Sequence, residues 1–261
     1  MTELEAIQLQ TPFKILLIGD DCLDIYQFGT VDRISPEAPV PVFKYSHKEE
    51  RPGMARNVKV NLENLGCDVT YISEATSVKT RLIDIRSKQH IVRIDNDNRS
   101  QPTTVNHLNF NSFHAVVISD YNKGTLTESM IIDIVRMAGA EKIPIFIDTK
   151  KTNLELFQGA WVKINESESR LITSECSGLI ITQGPKGASI PHHNIQCPAP
   201  SVEVADVCGA GDTFLSAFAV QYLYTKDLEK SIMFANTAAS ITVQHLGCYA
   251  PSYDEIRNAG Y

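Results

Sequence analysis

Five short, continuous apolar runs constrain the fold of this 261-residue chain more than any other feature. Runs of four or five apolar residues lack the alternation of a strand with one wet face, and they are typical of strands buried on both faces of a parallel sheet. Segments with helical periodicity fit between and after them, for example at 127–138 and 228–244. The pattern predicts an α/β fold with a central, mostly parallel sheet flanked by helices. The runs lie at 14–18, 115–119, 143–147, 161–164 and 178–181.

A polar residue or a glycine follows each of these runs. In open parallel sheets the carboxyl ends of the strands meet along one edge, and ligands bind in the crevice outside that edge. The sequence therefore predicts a ligand site built from the residues that end the runs, which are Gly19, Asp20, Asp120, Asp148, Asn165 and Thr182.

The region 30–99 has a different pattern. Apolar and polar residues alternate in VPVFKY and in TRLIDIRSKQHIVRID, as is typical of antiparallel strands with one solvated face. We expect a small β-sheet lid with strands within about 30–48 and 79–99, inside one domain that spans 1–261. Because the outer strands of such a sheet have edges to protect, we also expect the lid to form a homodimer.

Composition argues against several classes of protein. The formal net charge of −7 argues against a nucleic-acid binder, which usually carries a basic excess. No apolar run approaches the length that spans a bilayer, so no membrane partner is expected. The six cysteines form no CxxC pair, and the N-terminal segment lacks a secretory pattern. These features favour reduced thiols in the cytoplasm over a zinc site or a disulfide framework.

The segment ADVCGAGDTFLSAFAV places small residues at the start of a buried helix. Gly209, Ala210 and Gly211 precede Asp212, and from Phe214 onward apolar residues recur at helical spacing. The first amides of a helix lack intrahelical partners and lie at the positive end of its dipole, so they attract a phosphate. A carboxylate there makes sense if it takes a proton from a hydroxyl while the amides hold the charge on a transferred phosphoryl group. The alternative is an aspartate that only caps the helix.

An ordered set of motifs resembles the ribokinase-like (PfkB) sugar kinases, and within them the heptose 7-phosphate kinases. No GxGxxG follows the first run and no GxxxxGK[ST] occurs, which disfavours a dinucleotide-binding fold and a P-loop. The resemblance covers nearly the whole chain and implies the ribokinase-like fold with its lid. The motifs are GDDCLDIYQFG (19–29), RISPEAPVPV (33–42), ERPGMARNVKVNLENLG (50–66), SDYNKGTL (119–126), IDTK (147–150), NESE (165–168), ITQGPKG (181–187), DVCGAGDT (206–213) and FANTAAS (234–240).

The resemblance implies an ATP-dependent kinase that phosphorylates the anomeric hydroxyl of D-glycero-D-manno-heptose 7-phosphate. The product, heptose 1,7-bisphosphate, would serve ADP-heptose and surface-glycan synthesis. Asp212 would be the base, and the amides of Gly209, Ala210 and Gly211 would stabilise the phosphoryl group. The expected ATP-binding residues are Asn165, Thr182, Gly184, Gly187 and Asn236.

Metal and sugar sites are implied in the same way. Glu168 and Asn165 would hold Mg²⁺ through water, since Mg²⁺ keeps much of its hydration shell. Asp206 is a candidate for a monovalent cation such as K⁺. The expected sugar-binding residues, three of them cations for the substrate phosphate, are Asp24, Arg33, Gly53, Asn57, Lys123, Asp148 and Lys150.

Departures from the family pattern leave two alternatives open. Met54 follows Gly53 where the family loop has a second glycine, and Arg56 replaces a small residue. If the backbone at Met54 needs a positive φ, methionine is strained there. These changes motivate a kinase of another sugar or sugar phosphate. Shortened segments near 71–81 and 168–178 motivate a non-catalytic binding protein with the same fold.

Overall fold

The computed structural model describes residues 12–97, 101–105 and 108–260. Their strands, in chain order, are β1 (Lys14–Gly19), β2 (Asp21–Ile34), β3 (Pro41–Met54), β4 (Asp68–Ile72), β5 (Thr76–Asp84), β6 (His90–Asn96), β7 (Ala115–Asp120), β8 (Ile145–Thr149), β9 (Trp161–Asn165), β10 (Gly178–Thr182), β11 (Ala188–Ile190) and β12 (Ile195–Cys197). Their α-helices are α1 (Ala55–Asn64), α2 (Glu128–Ala140), α3 (Glu166–Ser169), α4 (Ala210–Thr225), α5 (Leu228–Thr242) and α6 (Tyr253–Asn258).

Eight strands form the central sheet in the order β12-β11-β10-β9-β8-β7-β1-β4. The pairs from β4 to β10 are parallel, and β11 runs antiparallel to both of its neighbours. The predicted α/β fold with a mostly parallel sheet is therefore confirmed. Each of the five apolar runs forms a strand, and β8 begins two residues later than predicted because Pro144, before it, has no N–H for a ladder.

The central sheet is buried on both faces, as the continuous apolar runs require. Along β1, Ile15 and Leu17 pack into one core together with α1, α4 and α5, whereas Leu16 and Ile18 pack into a second core with α2. All four side chains are fully buried. Within the described residues, no helix has the length and apolar character needed to cross a membrane.

A second sheet has four strands in the order β3-β2-β5-β6. We expected antiparallel strands from residue 30 onward, but β2 begins at Asp21 and pairs with β5 in parallel. The sequence hides the first part of β2 because two of its buried positions hold the carboxylates of Asp21 and Asp24, which interrupt the apolar pattern of a strand. Within 30–99, α1 and β4 belong with the central sheet, since β4 pairs with β1. The role of the second sheet as a lid stays a prediction.

The two sheets are joined by very short connections. Asp20 alone separates β1 from β2, α1 follows β3 directly at Ala55, and three residues separate β4 from β5. Met54, the last residue of β3, is buried and has φ 49°, so this position does carry the positive φ that disfavours a methionine.

Candidate active site

Asp212 lies in the first turn of α4 and is almost fully buried. Its Oδ2 accepts a hydrogen bond of 2.8 Å from Asn57 Nδ2, and its Oδ1 accepts one of 3.1 Å from the Tyr121 hydroxyl. Asn57 comes from α1 and Tyr121 from the loop after β7, so three distant segments orient one carboxylate. The sequence indicated Asp212 and Asn57 and missed Tyr121.

Burial is the main reason that the pKa of Asp212 rises to about 6. The hydrogen bond from Asn57 opposes this rise, while the nearby Asp148 carboxylate adds to it. The ammonium of Lys163 and the Tyr121 hydroxyl also lower the pKa. A carboxylate with a pKa near 6 is ionised at neutral pH and is a stronger base than an ordinary aspartate, which suits proton abstraction.

The glycines before Asp212 are required by close contacts. Gly209 has φ 78°, and a Cβ on it would lie 2.9 Å from Asn57 Nδ2. A Cβ on Gly211 would lie 2.7 Å from Lys163 Nζ. The turn therefore packs against Asn57 on one side and a buried cation on the other, and the first amides of the 16-residue helix α4 start from it.

Two lysines and two carboxylates lie beside this turn. Lys163, buried in β9, is paired with Asp148 at the end of β8 at 2.5 Å. Lys150 contacts Glu168, and its Nζ lies 3.8 Å from Asp148 Oδ1. Burial alone would lower the pKa of Lys150, but the Asp148 and Glu168 carboxylates outweigh it and raise that pKa. Lys163 was missed, although a lysine inside the apolar run WVKI is a signal that could have found it.

Asn165 and Glu168 form a capping box at the start of α3. Asn165 Oδ1 accepts from the Glu168 amide at 2.9 Å, and Glu168 Oε2 accepts from the Asn165 amide at 2.8 Å. The NESE motif therefore stabilises a local helix start, which fixes both side chains at the edge of the sheet.

A buried aspartate holds the loop that carries Tyr121. Asp20 Oδ2 accepts from the amides of Tyr121 at 2.8 Å and Lys123 at 2.9 Å, and its Oδ1 accepts from the amide of Thr125 at 3.2 Å. A carboxylate with two acceptor oxygens suits this task. Asp20 therefore positions Tyr121 against Asp212.

The second sheet contributes Asp24 and the cations Arg81 and Lys79. Asp24 is buried and pairs with Arg81 of β5 at 2.5 Å. A Cβ on Gly53 would lie 2.5 Å from Asp24 Oδ2, so glycine is needed there. On β5, Lys79 Nζ lies 5.9 Å from the centre of the Tyr121 ring, which in turn contacts Asp212. The sequence indicated Asp24 and Gly53 but not the two β5 cations.

Other indicated cations are occupied or distant. Arg33 is exposed near the far end of β2, and the structure does not bring it to the other candidates. Lys123 Nζ is paired with Asp97 at 2.5 Å. Arg56 forms two hydrogen bonds with Asp21, so its charge is already balanced.

Asp206 bridges two loops. Its Oδ1 accepts from the amide of Cys208 at 3.0 Å, before α4, and its Oδ2 accepts from the amide of Gly247 at 2.9 Å, after α5. These bonds tie the two loops together. The monovalent cation expected beside Asp206 stays a prediction.

An apolar cleft of about 240 Å³ lies on the other side of the glycine turn, between β10, α4 and α5. Four expected ATP-binding residues line it, and Asn165 is not among its lining residues. Asn236 Nδ2 donates to the main-chain oxygens of Cys197 and Pro198, which fixes that wall. Ala210 and Gly211 also line the cleft, so it ends at the turn that carries Asp212. The four expected residues are Thr182, Gly184, Gly187 and Asn236.

The sequence matches the family described as pfkB family carbohydrate kinase over residues 61–255. It is 30% identical to the bifunctional protein HldE of Actinobacillus succinogenes over 313 residues, and 32% identical to that of Salmonella dublin over 303 residues. Each alignment covers 94% of this chain and 63% of the relative. The chain thus spans less than two thirds of the length of these curated relatives.

Solved structures share the fold. Arabidopsis thaliana ribokinase in complex with ribose and ATP superposes with a TM-score of 0.71 at 18% identity, covering 95% of this chain and 99% of that one. Phosphofructokinase-2 of Escherichia coli in complex with potassium gives a TM-score of 0.69 at 16% identity, covering 95% and 98%. These similarities confirm the ribokinase-like fold.

Proposed function

Because the chain belongs to the pfkB family of carbohydrate kinases, we propose that it transfers the γ-phosphoryl group of ATP to a sugar hydroxyl at Asp212. The observation that carries this proposal is the position of the buried Asp212 carboxylate between the apolar cleft and the side of the turn that faces Asn57 and the second sheet. The apolar cleft ends at Ala210 and Gly211 on one side, and Asn57 and the second sheet lie on the other. A nucleotide in the cleft would present its phosphates to the first amides of α4.

Asp212 acts as the general base in this proposal. It takes the proton of the attacking hydroxyl, while the amides from Gly209 to Asp212 stabilise charge on the transferred phosphoryl group. The ammonium groups of Lys163 and Lys150, beside the glycine turn, add positive charge where it is needed. Phosphoryl transfer depends mainly on such positioning and electrostatic stabilisation.

The residues present fit a magnesium ion held through water. Glu168, Asn165 and Asp148 offer the hard oxygen donors that Mg²⁺ prefers, and the bonds they already make leave lone pairs for water-mediated contact. Such an ion would neutralise charge on the nucleotide phosphates. Lys150, paired with Glu168, shares that carboxylate with the ion.

Replacing Glu168 by Gln is expected to raise the Mg²⁺ concentration that gives half-maximal activity, because a neutral amide attracts the hydrated ion less. The measurement is a Mg²⁺ titration of ADP release at saturating ATP and sugar. Glu166→Gln is the matched control, since Glu166 lies two residues away and pairs only weakly with Arg170, at 3.8 Å. Full activity in excess chelator would contradict the metal requirement.

We propose a heptose 7-phosphate as the sugar and its anomeric hydroxyl as the acceptor, giving heptose 1,7-bisphosphate. Two observations support this substrate: the named similarity to HldE proteins and the cation Lys79, which lies beside Tyr121 on the sugar side. A phosphorylated sugar needs cationic partners away from the ATP cleft. The product would then enter ADP-heptose and lipopolysaccharide synthesis, which fits the expected cytoplasmic location.

An assay of ADP release with a panel of sugars and sugar phosphates tests this substrate. The panel contains heptose 7-phosphate, free heptose, fructose 6-phosphate and ribose at equal concentrations. We expect the highest kcat/KM for heptose 7-phosphate. A higher kcat/KM for another sugar moves the assignment to that sugar, and no turnover with any of them favours a binding protein.

The raised pKa of Asp212 predicts the pH dependence of the reaction. Because only the ionised carboxylate accepts a proton, kcat/KM should fall about tenfold per pH unit below pH 6 and level off above it. The measurement is kcat/KM for the sugar from pH 5 to pH 8 at constant ionic strength. A flat profile across pH 6 would remove Asp212 as the base.

We also propose that the second sheet closes over the sugar and pairs with a second copy of the chain. Its exposed apolar side chains are suited to such a contact. Sedimentation at assay concentration should give a dimer, and Val92→Lys with Ile94→Lys should give a monomer. A wild-type monomer contradicts the dimer. The exposed apolar residues are Ile34, Val40, Tyr45, Val92 and Ile94.

A further inference from the structure

Two cysteines that are far apart in sequence lie together at the edge of the site. Cys208 precedes the glycine turn and Cys248 follows Gly247, and their Sγ atoms are 3.4 Å apart. The Asp206 carboxylate holds the two cysteines close together, because it accepts hydrogen bonds from the amides of both Cys208 and Gly247. Both thiols are half-buried and form no disulfide.

A carboxylate completes a three-ligand cluster with the thiols. Asp24 offers an oxygen, and its ligand atom and the two Sγ atoms all lie within 4.8 Å of one another. Among the described residues this is the one such group of histidine, cysteine or acidic side chains. Spacing in the sequence gave no sign of it, because 40 residues separate the cysteines and Asp24 comes from the other sheet.

We propose that Asp24, Cys208 and Cys248 bind a borderline-soft divalent cation of the Zn²⁺ class. Zn–S bonds of about 2.3 Å at tetrahedral angles place two sulfurs roughly 3.8 Å apart, so the thiols need to separate by only a few tenths of an ångström. Three protein ligands with one open position are typical of accessible zinc sites. Thiolates favour zinc over Mg²⁺ or Ca²⁺, which take oxygen ligands.

The charges of the cluster are compatible with a divalent cation. Each thiol loses its proton to solvent as the metal–sulfur bond forms, so two protons are released and two thiolates balance the 2+ charge. Asp24 keeps its pairing with Arg81, and the cluster as a whole stays neutral.

Binding at this cluster blocks the sugar, an inference that rests on the proposed function. Asp24 is the carboxylate expected to hold sugar hydroxyls, and an ion bound to it removes that acceptor. Cys248 Sγ also lies 3.1 Å from the place of a Cβ on Gly209, so the ion borders the turn that receives the phosphoryl group. None of the three ligands lines the apolar cleft where ATP is proposed to bind, so the cation competes with the sugar and not with ATP.

Metal binding is tested directly on the full chain, after reduction and removal of bound metals. Co²⁺ titration should give one equivalent with thiolate-to-metal absorption, and Zn²⁺ should displace it in competition with a chromogenic chelator. Cys208→Ser and Cys248→Ser should each weaken Zn²⁺ binding at least about tenfold, since even outer-shell changes cost 10- to 100-fold. Cys67→Ser, at a buried thiol between α1 and β4, is the control and should bind as wild type.

Equal Zn²⁺ affinity in the wild type and both cysteine variants, or less than half an equivalent of Co²⁺ bound, would overturn the site. Inhibition kinetics then test whether the bound cation competes with the sugar. Zn²⁺ should raise KM for the sugar and leave KM for ATP unchanged, and inhibition competitive with ATP would overturn the competition with sugar. Because metal binding is read without turnover, a chain that binds Zn²⁺ but phosphorylates no sugar refutes the proposed function and leaves the site standing.

Discussion

Replacing Asp212 by Asn is expected to lower kcat by roughly 10²- to 10⁴-fold, the usual contribution of a positioned general base. Asparagine keeps the size of the side chain and an acceptor oxygen, but it cannot take the proton of the attacking hydroxyl. Since the Asp212 side chain lies on the side of the glycine turn where the sugar is proposed to bind, the affinity for ATP should change little. The measurements are steady-state kcat and calorimetric ATP binding.

The control for this variant is Asp133→Asn, which makes the same chemical change on the exposed surface of α2, where Asp133 pairs only with Arg136. Its kcat should match the wild type. The thermal midpoint of Asp212→Asn should stay within a few degrees of the wild type or rise, because a buried ionised carboxylate is replaced by a neutral group. Near-normal turnover by a folded Asp212→Asn enzyme would show that another group is the base.

Replacing Lys79 by Ala is expected to raise KM for heptose 7-phosphate by roughly 10- to 150-fold with a smaller change in kcat. A charge-assisted hydrogen bond to a phosphate contributes about 1.5–3 kcal/mol, and this contact changes little during phosphoryl transfer. The effect should shrink on free heptose, which lacks the dianion. Comparing both enzymes on both sugars isolates the phosphate contact from any general damage.

Lys44→Ala is the matched control, because Lys44 lies in the same sheet, is exposed and pairs with Asp32. Its KM should equal that of the wild type. Lys150→Ala tests the cation that the sequence itself indicated, in the same assay. Equal losses of kcat/KM on free heptose and its 7-phosphate would show that Lys79 does not contact the phosphate. Equal wild-type values for both sugars would contradict the assignment of heptose 7-phosphate as the substrate.

Five of the eight strands of the central sheet, β1 and β7 to β10, could be predicted because each is a continuous apolar run. The other three, β4, β11 and β12, have only three to five residues and are partly exposed, so no such run marks them. β2 was only partly recognised, since Asp24 occupies a buried position where the pattern requires an apolar residue. The buried carboxylate of Asp24 instead pairs with Arg81, across 57 residues. Local patterns cannot show an ion pair that forms only after two strands have met.

The candidate site shows the same difference between residues that have a local sequence signature and residues whose partners are distant in sequence. Asp212 could be indicated from its own turn, because a glycine-rich helix start has a local signature. Tyr121 could not, since it meets Asp212 across 91 residues and through the fold that Asp20 imposes on its loop. Arg56 is a departure from the family pattern that motivated another sugar, but in the structure its guanidinium pairs with Asp21. The role of each side chain depends on the residue that it contacts, and these contacts depend on the topology of the fold.

In the proposed lid movement, the second sheet would rotate about Asp20, the single residue between β1 and β2. At about 3.3 Å per residue, the 14 residues of β2 extend roughly 45 Å from Asp20, whereas Asp24, four residues on, lies only about 13 Å along the strand. A rotation of about 10° would therefore sweep the tip by roughly 8 Å and move Asp24 by roughly 2 Å. Opening of the second sheet to admit a sugar would therefore move the Asp24 carboxylate, which receives the sugar, only slightly.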